Sequence, residues 1–466
     1  MCNTTESMTL LRETLRGSEF EHDVYLAGGA VRDGILNMPV KDLDFVVANH
    51  GLTGGIDCAA FIAQKLGNFK QDSNPVIFPT YGTAKLVLPN GMDVEFVAPR
   101  KEKYVSESRK PEVFEGTLYD DAVRRDFTMN ALFTRLSDNQ LLDLTGQGQV
   151  DLGNGVIRTT SDATWIFSED PLRMIRAVRF AVKYGFDIPF SLLRAIKVNA
   201  YRLQVVSHER IQDELNKILV LDKPSRAIRL FLITGLLAEF APEVQALVGV
   251  TQNAYHNRDA FGHTMDVLDA ARPTKMVRLA ALFHDIGKAQ TRTEKDGKVH
   301  FIGHEMVGVG ITREVMKRLK YSNDEVEAVT GMVRHHMELK PFKGDLSGMR
   351  DKNLRKFLFR VGVSQLEPTL DLIHADNLCH APGHTMPHQV DLVRERLEGM
   401  DLSAIENTTS LLDGNELMAM GAQGRLIQQV KNRIVELMLE QPNFTKQAAV
   451  GVAKTLIANA AKAGGR

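Results

Sequence analysis

The chain has 466 residues, of which 44% are hydrophobic and 25% charged, and its formal net charge is −1. This length and composition exclude a chain without a core and fit a soluble protein of several domains. Cys2, Cys58 and Cys379 show no CxxC spacing, which argues against a disulfide framework or zinc knuckle and favours a reducing compartment. The sequence shows no signal-peptide core and no apolar run of roughly 18 residues that would span a bilayer. We therefore expect a cytoplasmic protein without a membrane segment.

The predicted elements change character along the chain. In the first part, alternating runs such as DVYLAGG, LDFVVAN, TAKLVLP and MDVEFVA predict strands, with helical stretches and turns between them. From about Trp165 onwards, apolar residues recur at three- and four-residue spacing, which predicts helices. One loop or hairpin is predicted at TRTEKDGKVHF. The sequence therefore predicts an α+β fold, with a mixed-sheet head followed by a long helical body.

A double glycine and two aspartates stand close together in the head. Gly28 and Gly29 precede a predicted helix that contains Arg32, and they would let the backbone approach a triphosphate closely. Asp42 and Asp44 are one residue apart in an apolar run, so in a strand both would project from one face. Two such carboxylates repel each other unless a cation lies between them, and Mg²⁺ would serve a nucleotidyl transfer. Taken alone, the glycine pair could equally belong to an ordinary turn, and the two aspartates to a solvent-exposed edge strand.

Two later segments add candidate residues of the same chemistry. In DVEFVAPR, alternation places Asp93 and Glu95 on one face of a strand, which offers a third carboxylate. In YDDAVRRDFTMNALF, Arg124, Arg125 and Asp126 precede an apolar run and are suited to clamp a triphosphate and a ribose.

Taken together, the motifs point to a family. LAGGAVRD, KDLDFVV, EFVAPRKEKY, RRDFTMNAL, NGVIRT and SEDPLRMIRAVRFA follow one another over residues 25–181. In this order they resemble the motifs of the class II tRNA nucleotidyltransferases, the CCA-adding enzymes, which belong to the polymerase β-like superfamily. The resemblance implies Mg²⁺ held by Asp42 and Asp44, with Glu95 in support. It also implies that CTP and ATP are bound by Gly28, Gly29, Arg32, Arg124, Arg125, Asp126, Asn130, Glu169, Asp170, Arg173, Arg176 and Arg179.

The segment EDPLR is expected to select the base. Asp170 and Arg173 are three residues apart, so on a helix they would share a face. A carboxylate accepts from the exocyclic amine of cytosine or adenine, and a guanidinium donates to the adjacent ring acceptor. Uracil and guanine would leave both side chains unpaired, at a cost of about 1–3 kcal/mol for each buried group. The alternative is an exposed Asp–Arg ion pair at a helix start.

A second constellation lies in the helical body. Histidines and aspartates follow the order H…HD…H…HH…D over residues 259–376, a ligand set suited to divalent transition metals. The pattern resembles the two-metal members of the HD phosphohydrolase superfamily. It implies metal ligands at His263, His284, Asp285, His304, His335, His336 and Asp376 and a phosphate contact from Lys288. An inactive HD fold kept as a scaffold is the alternative. The nearby His256, His300, His374, His380, His384 and His388 are expected to be surface residues.

The resemblances imply a division into four segments: a nucleotidyltransferase head (1–157), a helical neck and body (158–245), an HD domain (246–390) and a helical tail (391–466). They imply template-independent addition of CCA to the 3′ end of tRNA, with contacts to the acceptor stem, by a monomer or homodimer. The HD domain is expected to act as a 2′,3′-cyclic phosphodiesterase, 2′-nucleotidase or phosphatase with Ni²⁺, Mn²⁺, Co²⁺ or Mg²⁺. The alternatives are a CC-only or A-only enzyme, a poly(A) polymerase, or a tRNA-binding scaffold.

Overall fold

The computed structural model describes residues 2–40, 42–67, 75–79, 82–103, 112–253 and 255–463. Contacts divide the chain into two compact units. The first comprises Met1–Glu214 and Arg229–Glu239, and the second comprises Leu215–Ile228 and Phe240–Arg466. The four-segment division expected from the sequence stays a prediction.

The first unit contains a seven-stranded mixed sheet of order β3-β4-β5-β2-β1-β8-β9. Its strands are β1 (Val24–Ala27), β2 (Leu43–Val47), β3 (Val76–Phe78), β4 (Thr83–Val87), β5 (Asp93–Val97), β8 (Leu132–Arg135) and β9 (Leu141–Asp143). A separate antiparallel pair is formed by β6 (Arg100–Lys103) and β7 (Glu112–Glu115). The helices of this part are α1 (Cys2–Leu15), α2 (Gly29–Ile35), α3 (Gly54–Leu66), α4 (Leu118–Arg124) and α5 (Gly148–Asn154).

The centre of this sheet pairs β2 with β5 in parallel, and the register sets Asp44 opposite Glu95. Phe45 and Phe96 are fully buried on the other side, where their rings stack with centroids 5.1 Å apart. Because side chains alternate along a strand, burial of these two phenylalanines directs both carboxylates to the opposite face. The hydrophobic pattern of the two strands therefore sets the position of the acidic pair.

The chain continues through helices, as predicted. They are α6 (Ala163–Glu169), α7 (Leu172–Tyr184), α8 (Phe190–Asn199), α9 (His208–Leu219), α10 (Pro224–Thr234), α11 (Leu236–Phe240) and α12 (Pro242–Gln245). The side chain of Asp162 caps α6 by accepting a hydrogen bond from the Trp165 amide. Along α7, Leu172, Ile175 and Val178 recur on one buried face, while the arginines between them face away from it.

The second unit is helical apart from one hairpin. Its helices are α13 (Ala260–Ala270), α14 (Lys275–Phe283), α15 (Lys288–Thr291), α16 (His304–Arg318), α17 (Asn323–His335), α18 (Asp351–Val361), α19 (Val363–Leu378), α20 (Gln389–Glu398), α21 (Leu402–Glu406), α22 (Gly414–Ala419), α23 (Arg425–Glu440) and α24 (Lys446–Ala463). Strands β10 (Thr293–Lys295) and β11 (Lys298–His300) form the hairpin, which confirms that prediction. Helices α13, α14, α17 and α19 pack together and carry or adjoin most of the predicted HD residues.

Within the part of the chain that the structure describes, no helix is long and apolar enough to cross a bilayer.

Candidate functional site

A cavity of about 510 Å³ in the first unit brings together most of the predicted nucleotide-binding residues. It is lined by Gly28, Gly29, Arg32, Asp44, Arg124, Arg125, Asp126, Asn130, Asp170, Leu172, Arg173, Arg176, Arg179, Phe180, Lys183 and Arg210. Of the predicted residues, Asp42, Glu95 and Glu169 lie outside this lining. The wall is strongly cationic, as an anionic ligand requires.

The double glycine lies at the floor of this cavity, where Gly28 caps helix α2 with a φ of +65°. A Cβ atom at this position would lie 2.7 Å from Nη1 of Arg125, which is closer than real contacts allow. Glycine is therefore required twice here, once for the backbone conformation and once for the close approach of the guanidinium.

The acidic residues meet at the edge of the same cavity. Strand β2 begins at Leu43, so Asp42 lies just before it and Asp44 within it, and both residues are exposed. Partial desolvation by the surrounding groups raises the pKa of Asp44, the Glu95 carboxylate raises it further, and Asp42 adds to this effect. Lys85 offsets part of this charge, since its Nζ lies 3.0 Å from Oε2 of Glu95. Carboxylates grouped in this way provide the hard oxygen donors that Mg²⁺ prefers.

The paired arginines are held by a carboxylate that sequence reasoning missed. Asp121 is fully buried and accepts hydrogen bonds from Nε and Nη2 of Arg125, at 2.9 and 2.8 Å, and from Arg124. Burial alone would raise the pKa of Asp121, but the two guanidiniums hold it below its ordinary value. The signal was available, because Asp121 precedes the arginines by three and four residues, the spacing of neighbours on a helix face.

A second buried carboxylate, Asp126, links the two sides of the cavity. It accepts from Nδ2 of Asn130 and from Nε of Arg176, both at 2.8 Å. Burial alone would raise the pKa of Asp126, but Arg176 and Asn130 hold it below its ordinary value. The Asn130 side chain in turn accepts a hydrogen bond from Arg32, which fixes that guanidinium beside the glycine pair.

Helix α7 supplies a third part of the cationic wall. Arg179 donates from Nε to the buried Glu214 of α9 at 2.5 Å, and Nη1 of Arg176 lies 3.6 Å from the same carboxylate. The Phe180 ring lies beneath the guanidiniums of Arg179, Arg32 and Arg176, with Cζ atoms 4.2, 5.1 and 5.2 Å from its centroid. No short-range pattern linked Glu214 to these arginines, because it lies on a different helix.

The expectation that Asp170 and Arg173 share a helix face is wrong. Asp170 ends α6 in an extended conformation, with φ −138° and ψ 96°, and α7 begins only after Pro171. A residue before proline is disfavoured in the helical region, which explains the break. Both residues nevertheless line the cavity, where Asp170 pairs with Arg210 at 2.7 Å. Arg173 donates to the Arg124 carbonyl at 2.8 Å.

In the second unit, three buried histidines are oriented by the backbone. The Nδ1 atoms of His284, His304 and His336 lie 2.8, 2.8 and 2.6 Å from the carbonyl oxygens of Ala281, Phe301 and Val333. A carbonyl only accepts, so each Nδ1 carries the proton and each Nε2 presents a lone pair. Among the residues that the structure describes, none of these Nε2 atoms has a hydrogen-bond partner.

The Nε2 atoms converge on Asp285. They lie 3.2, 3.4 and 3.9 Å from its carboxylate oxygens for His284, His304 and His336. Two groups have the spacing of a metal site, His263–His284–Asp285 and Asp285–His304–His336, and they share the aspartate. Burial, together with His284 and His304, lowers the pKa of His336 to about 3, which keeps it neutral as a ligand must be. Unpaired Nε2 atoms whose Nδ1 atoms are fixed by carbonyls fit divalent transition metals.

The remaining predicted residues of this site flank Asp285. Oδ1 of Asp376 lies 2.9 Å from Nε2 of His263, and Oδ2 pairs with Lys340 at 2.7 Å. Nζ of Lys288 lies 2.6 Å from the Asp285 carboxylate, so its position beside the cluster agrees with the predicted spacing.

Comparison with known proteins agrees with both sites. Residues 24–158 match the family of poly A polymerase head domains, and residues 185–247 match a family described as a probable RNA and SrmB-binding site of polymerase A. Residues 261–378 match the HD domain. The multifunctional CCA protein of Chromobacterium violaceum is 36% identical over 337 residues, which cover 68% of this chain and 77% of that protein. That of Neisseria gonorrhoeae is 35% identical over 325 residues, covering 67% and 73%.

The chain belongs to the multifunctional CCA protein family.

Solved structures of CCA-adding enzymes share the fold. The Bacillus stearothermophilus CCA-adding enzyme in complex with CTP matches with a TM-score of 0.67 at 21% identity, over 98% of each chain. The Thermotoga maritima CCA-adding enzyme complexed with tRNA matches with a TM-score of 0.53 at 20% identity, over 98% of this chain and 96% of that one. The predicted fold class is thereby confirmed.

Three histidines of the HD region are placed differently from the sequence expectation. His335 lies outside the cluster, and its Nδ1 lies 2.6 Å from Glu338, because adjacent helical residues point about 100° apart. His256 and His380, expected at the surface, instead line a cavity of about 860 Å³ that reaches Asp285. Burial lowers the pKa of His256 to about 2 and that of His380 to about 4. Their position was not readable because His256 precedes α13 in a loop and His380 follows α19.

Replacement of Gly28 by alanine tests the glycine requirement. We expect Gly28→Ala to weaken CTP binding by about tenfold or more, because the new Cβ displaces the Arg125 guanidinium. Gly17→Ala is the matched control, since Gly17 has a φ of +72° but nothing within 4 Å of its Cβ position. Both glycines have a positive φ, so an alanine is strained by the backbone in either variant. Titration calorimetry with CTP measures the difference, and equal affinities in the two variants would contradict the steric explanation.

Proposed function

We propose that this protein adds CCA to the 3′ end of tRNA from CTP and ATP, without a nucleic-acid template. The observation that carries the proposal is the cavity of the first unit, in which a glycine-capped helix start, a carboxylate group and a cationic wall meet. Membership of the multifunctional CCA protein family supports the same reaction. The match of residues 185–247 to an RNA-binding region supports contacts with the tRNA acceptor stem and 3′ end.

In this proposal Asp42 and Asp44 would hold Mg²⁺, with Glu95 in support, and the ion would polarise the α-phosphate and the attacking 3′-oxygen. The backbone at Gly28 and Gly29 accommodates the triphosphate at the start of α2, where amide groups favour an anion. Further contacts to the nucleotide come from Arg32, Arg124, Arg125, Asp126, Asn130, Glu169, Arg176 and Arg179. Because buried carboxylates and amides already hold most of these side chains, little ordering accompanies nucleotide binding.

Base selection is assigned to Asp170 and Arg173. One polar atom supports this assignment, since Nη1 of Arg173 is buried and makes no hydrogen bond in the described part of the chain, although it lies 3.6 Å from Oε2 of Glu169. Such an N–H group is satisfied by the ring acceptor of cytosine or adenine, while the Asp170 carboxylate accepts from the exocyclic amine. Uracil and guanine present the opposite pattern and leave both groups unpaired, at a cost of about 1–3 kcal/mol each.

A second activity is assigned to the HD region, which we propose to be a metal-dependent phosphohydrolase acting on 2′,3′-cyclic or 2′-phosphates of RNA ends. His263, His284, Asp285, His304 and His336 would hold two divalent ions, and the imidazole-rich set favours Ni²⁺, Mn²⁺ or Co²⁺ over Mg²⁺. Asp376 would complete the ligand set, and Lys288 would contact the phosphate. We also propose that the protein acts in the cytoplasm, as a monomer or a homodimer.

The addition reaction is tested on two tRNA transcripts, one ending at the discriminator base and one ending in CC. Each receives Mg²⁺ with CTP alone, ATP alone, or both. We expect C, C and A to be added in order and then a stop. The selecting pair accounts for the choice of cytosine and adenine over uracil and guanine. A stop after CC, or A only on the CC-ended tRNA, indicates a CC-only or A-only enzyme. A long adenylate tail indicates poly(A) polymerase, and tRNA binding without any addition indicates a scaffold.

The hydrolase is tested by comparing two adjacent histidines. We expect His336→Ala to lose at least about tenfold in 2′,3′-cAMP hydrolysis with Ni²⁺, Mn²⁺ or Co²⁺, because it removes a metal ligand. His335→Ala is the matched control, since that imidazole contacts Glu338 and lies outside the cluster. CCA addition should be unchanged in both variants. A wild-type protein that hydrolyses no cyclic nucleotide with any of the three metals would contradict the assignment.

A further inference from the structure

Two cations in the wall of the nucleotide cavity, Lys183 and Arg210, are not among the predicted nucleotide-binding residues. Lys183 lies in the last turn of α7 and lines the same cavity as Gly28, Gly29 and Asp44. Its side chain is about one-third exposed, which leaves the ammonium group accessible to a ligand. The role of Lys183 therefore depends on what fixes that group and on which charges surround it.

A directed chain of hydrogen bonds holds the ammonium group. The Tyr184 hydroxyl donates to Oδ1 of Asp33 at 2.8 Å, since a carboxylate only accepts. The hydroxyl oxygen then accepts from Nζ of Lys183 at 2.7 Å. Nζ also lies 3.7 Å from Oδ2 of Asp33, while Oδ1 of that carboxylate accepts from Nε of Arg32 at 2.8 Å. The position of Lys183 is therefore tied to α2, the helix that begins at the glycine pair.

The surroundings of Lys183 carry excess positive charge. Burial lowers the pKa of Lys183, the Asp33 carboxylate opposes this shift, and Arg32 and Arg179 add to it. Both Arg32 and Lys183 contact the Tyr184 ring. The Arg32 guanidinium lies 4.7 Å from the ring centroid, and Nζ of Lys183 lies 4.6 Å from it. An anion bound at this point would offset the repulsion among the three cations.

We propose that Lys183, positioned by Asp33 and Tyr184, binds the β- and γ-phosphates of the incoming nucleotide and the pyrophosphate released from it. The inference rests on the proposed nucleotidyl transfer. In that step the RNA 3′-oxygen forms a bond to the α-phosphorus, and the bond from the α-phosphorus to the bridging oxygen breaks. Pyrophosphate leaves with the electron pair, and the hydroxyl proton passes to solvent. The Lys183 ammonium stays protonated and offsets the charge that develops on the leaving group.

The reverse reaction isolates this contact, because pyrophosphate is then a substrate. Lys183→Met is compared with Lys183→Arg, which retains the charge, and with Lys65→Met as a matched control. Lys65 also lies in the last turn of a helix and over an aromatic ring, with Nζ 5.5 Å from the Phe61 centroid, but outside this cavity. The KM for pyrophosphate is measured on CCA-ended tRNA, and the KM values for CTP and tRNA are measured in the forward reaction.

We expect Lys183→Met to raise the KM for pyrophosphate and for CTP by about tenfold, as loss of one charge-assisted hydrogen bond implies. The KM for tRNA should stay unchanged, Lys183→Arg should restore most of the affinity, and Tyr184→Phe should cause a smaller increase. Lys65→Met should match the wild type. An active wild type with equal pyrophosphate KM values in Lys183→Met and Lys65→Met would contradict this inference alone. A folded wild type that adds no nucleotide would instead contradict the proposed function.

Discussion

The nucleotide cavity depends on buried carboxylates that each hold arginine side chains in place. Asp121 holds Arg124 and Arg125, and Glu214 contacts the two arginines of α7. Without these partners, the arginine side chains around the cavity would repel each other and lose their fixed positions. A buried carboxylate without a cation would in turn cost free energy, because its charge would be unpaired. Each group therefore makes the burial of the other possible, and the wall is ordered before an anionic ligand arrives.

The two candidate sites achieve this preorganisation by opposite electrostatic means. In the first unit, acidic groups fix the orientation of guanidiniums, whose remaining N–H groups suit an anionic ligand. In the second unit, backbone carbonyls fix the tautomers of His284, His304 and His336, whose Nε2 lone pairs suit a metal cation. A protein with both arrangements has the chemical means to build phosphodiester bonds at one site and to hydrolyse phosphate esters at the other.

The sequence predicted those parts of the fold and site that depend on local periodicity. Alternation in LDFVV and DVEFV predicted two strands and the shared face of their carboxylates, but not that β2 and β5 pair in parallel. Pro171 was a local signal whose effect on Asp170 was overlooked. Glu214 was beyond reach, because it meets Arg179 only through packing between elements distant in sequence. The same holds for the contact of His380 with Lys340, since 40 residues separate the two. His335 and His336 could be separated only once the end of α17 was oriented against its neighbours.

The measurement that tests this account most directly is CTP affinity, by titration calorimetry, in two adjacent aspartate variants of α4. Asp121→Asn removes the charge that holds Arg124 and Arg125. Asp120→Asn alters the helix cap at Thr117 and an ion pair with Lys101, and none of these three residues lines the cavity. We expect Asp121→Asn to weaken CTP binding by about tenfold, and we expect the CTP affinity of Asp120→Asn to stay within about twofold of that of the wild type. Arg125→Gln should reproduce the loss. A folded Asp121→Asn protein that binds CTP as tightly as Asp120→Asn would contradict the central claim.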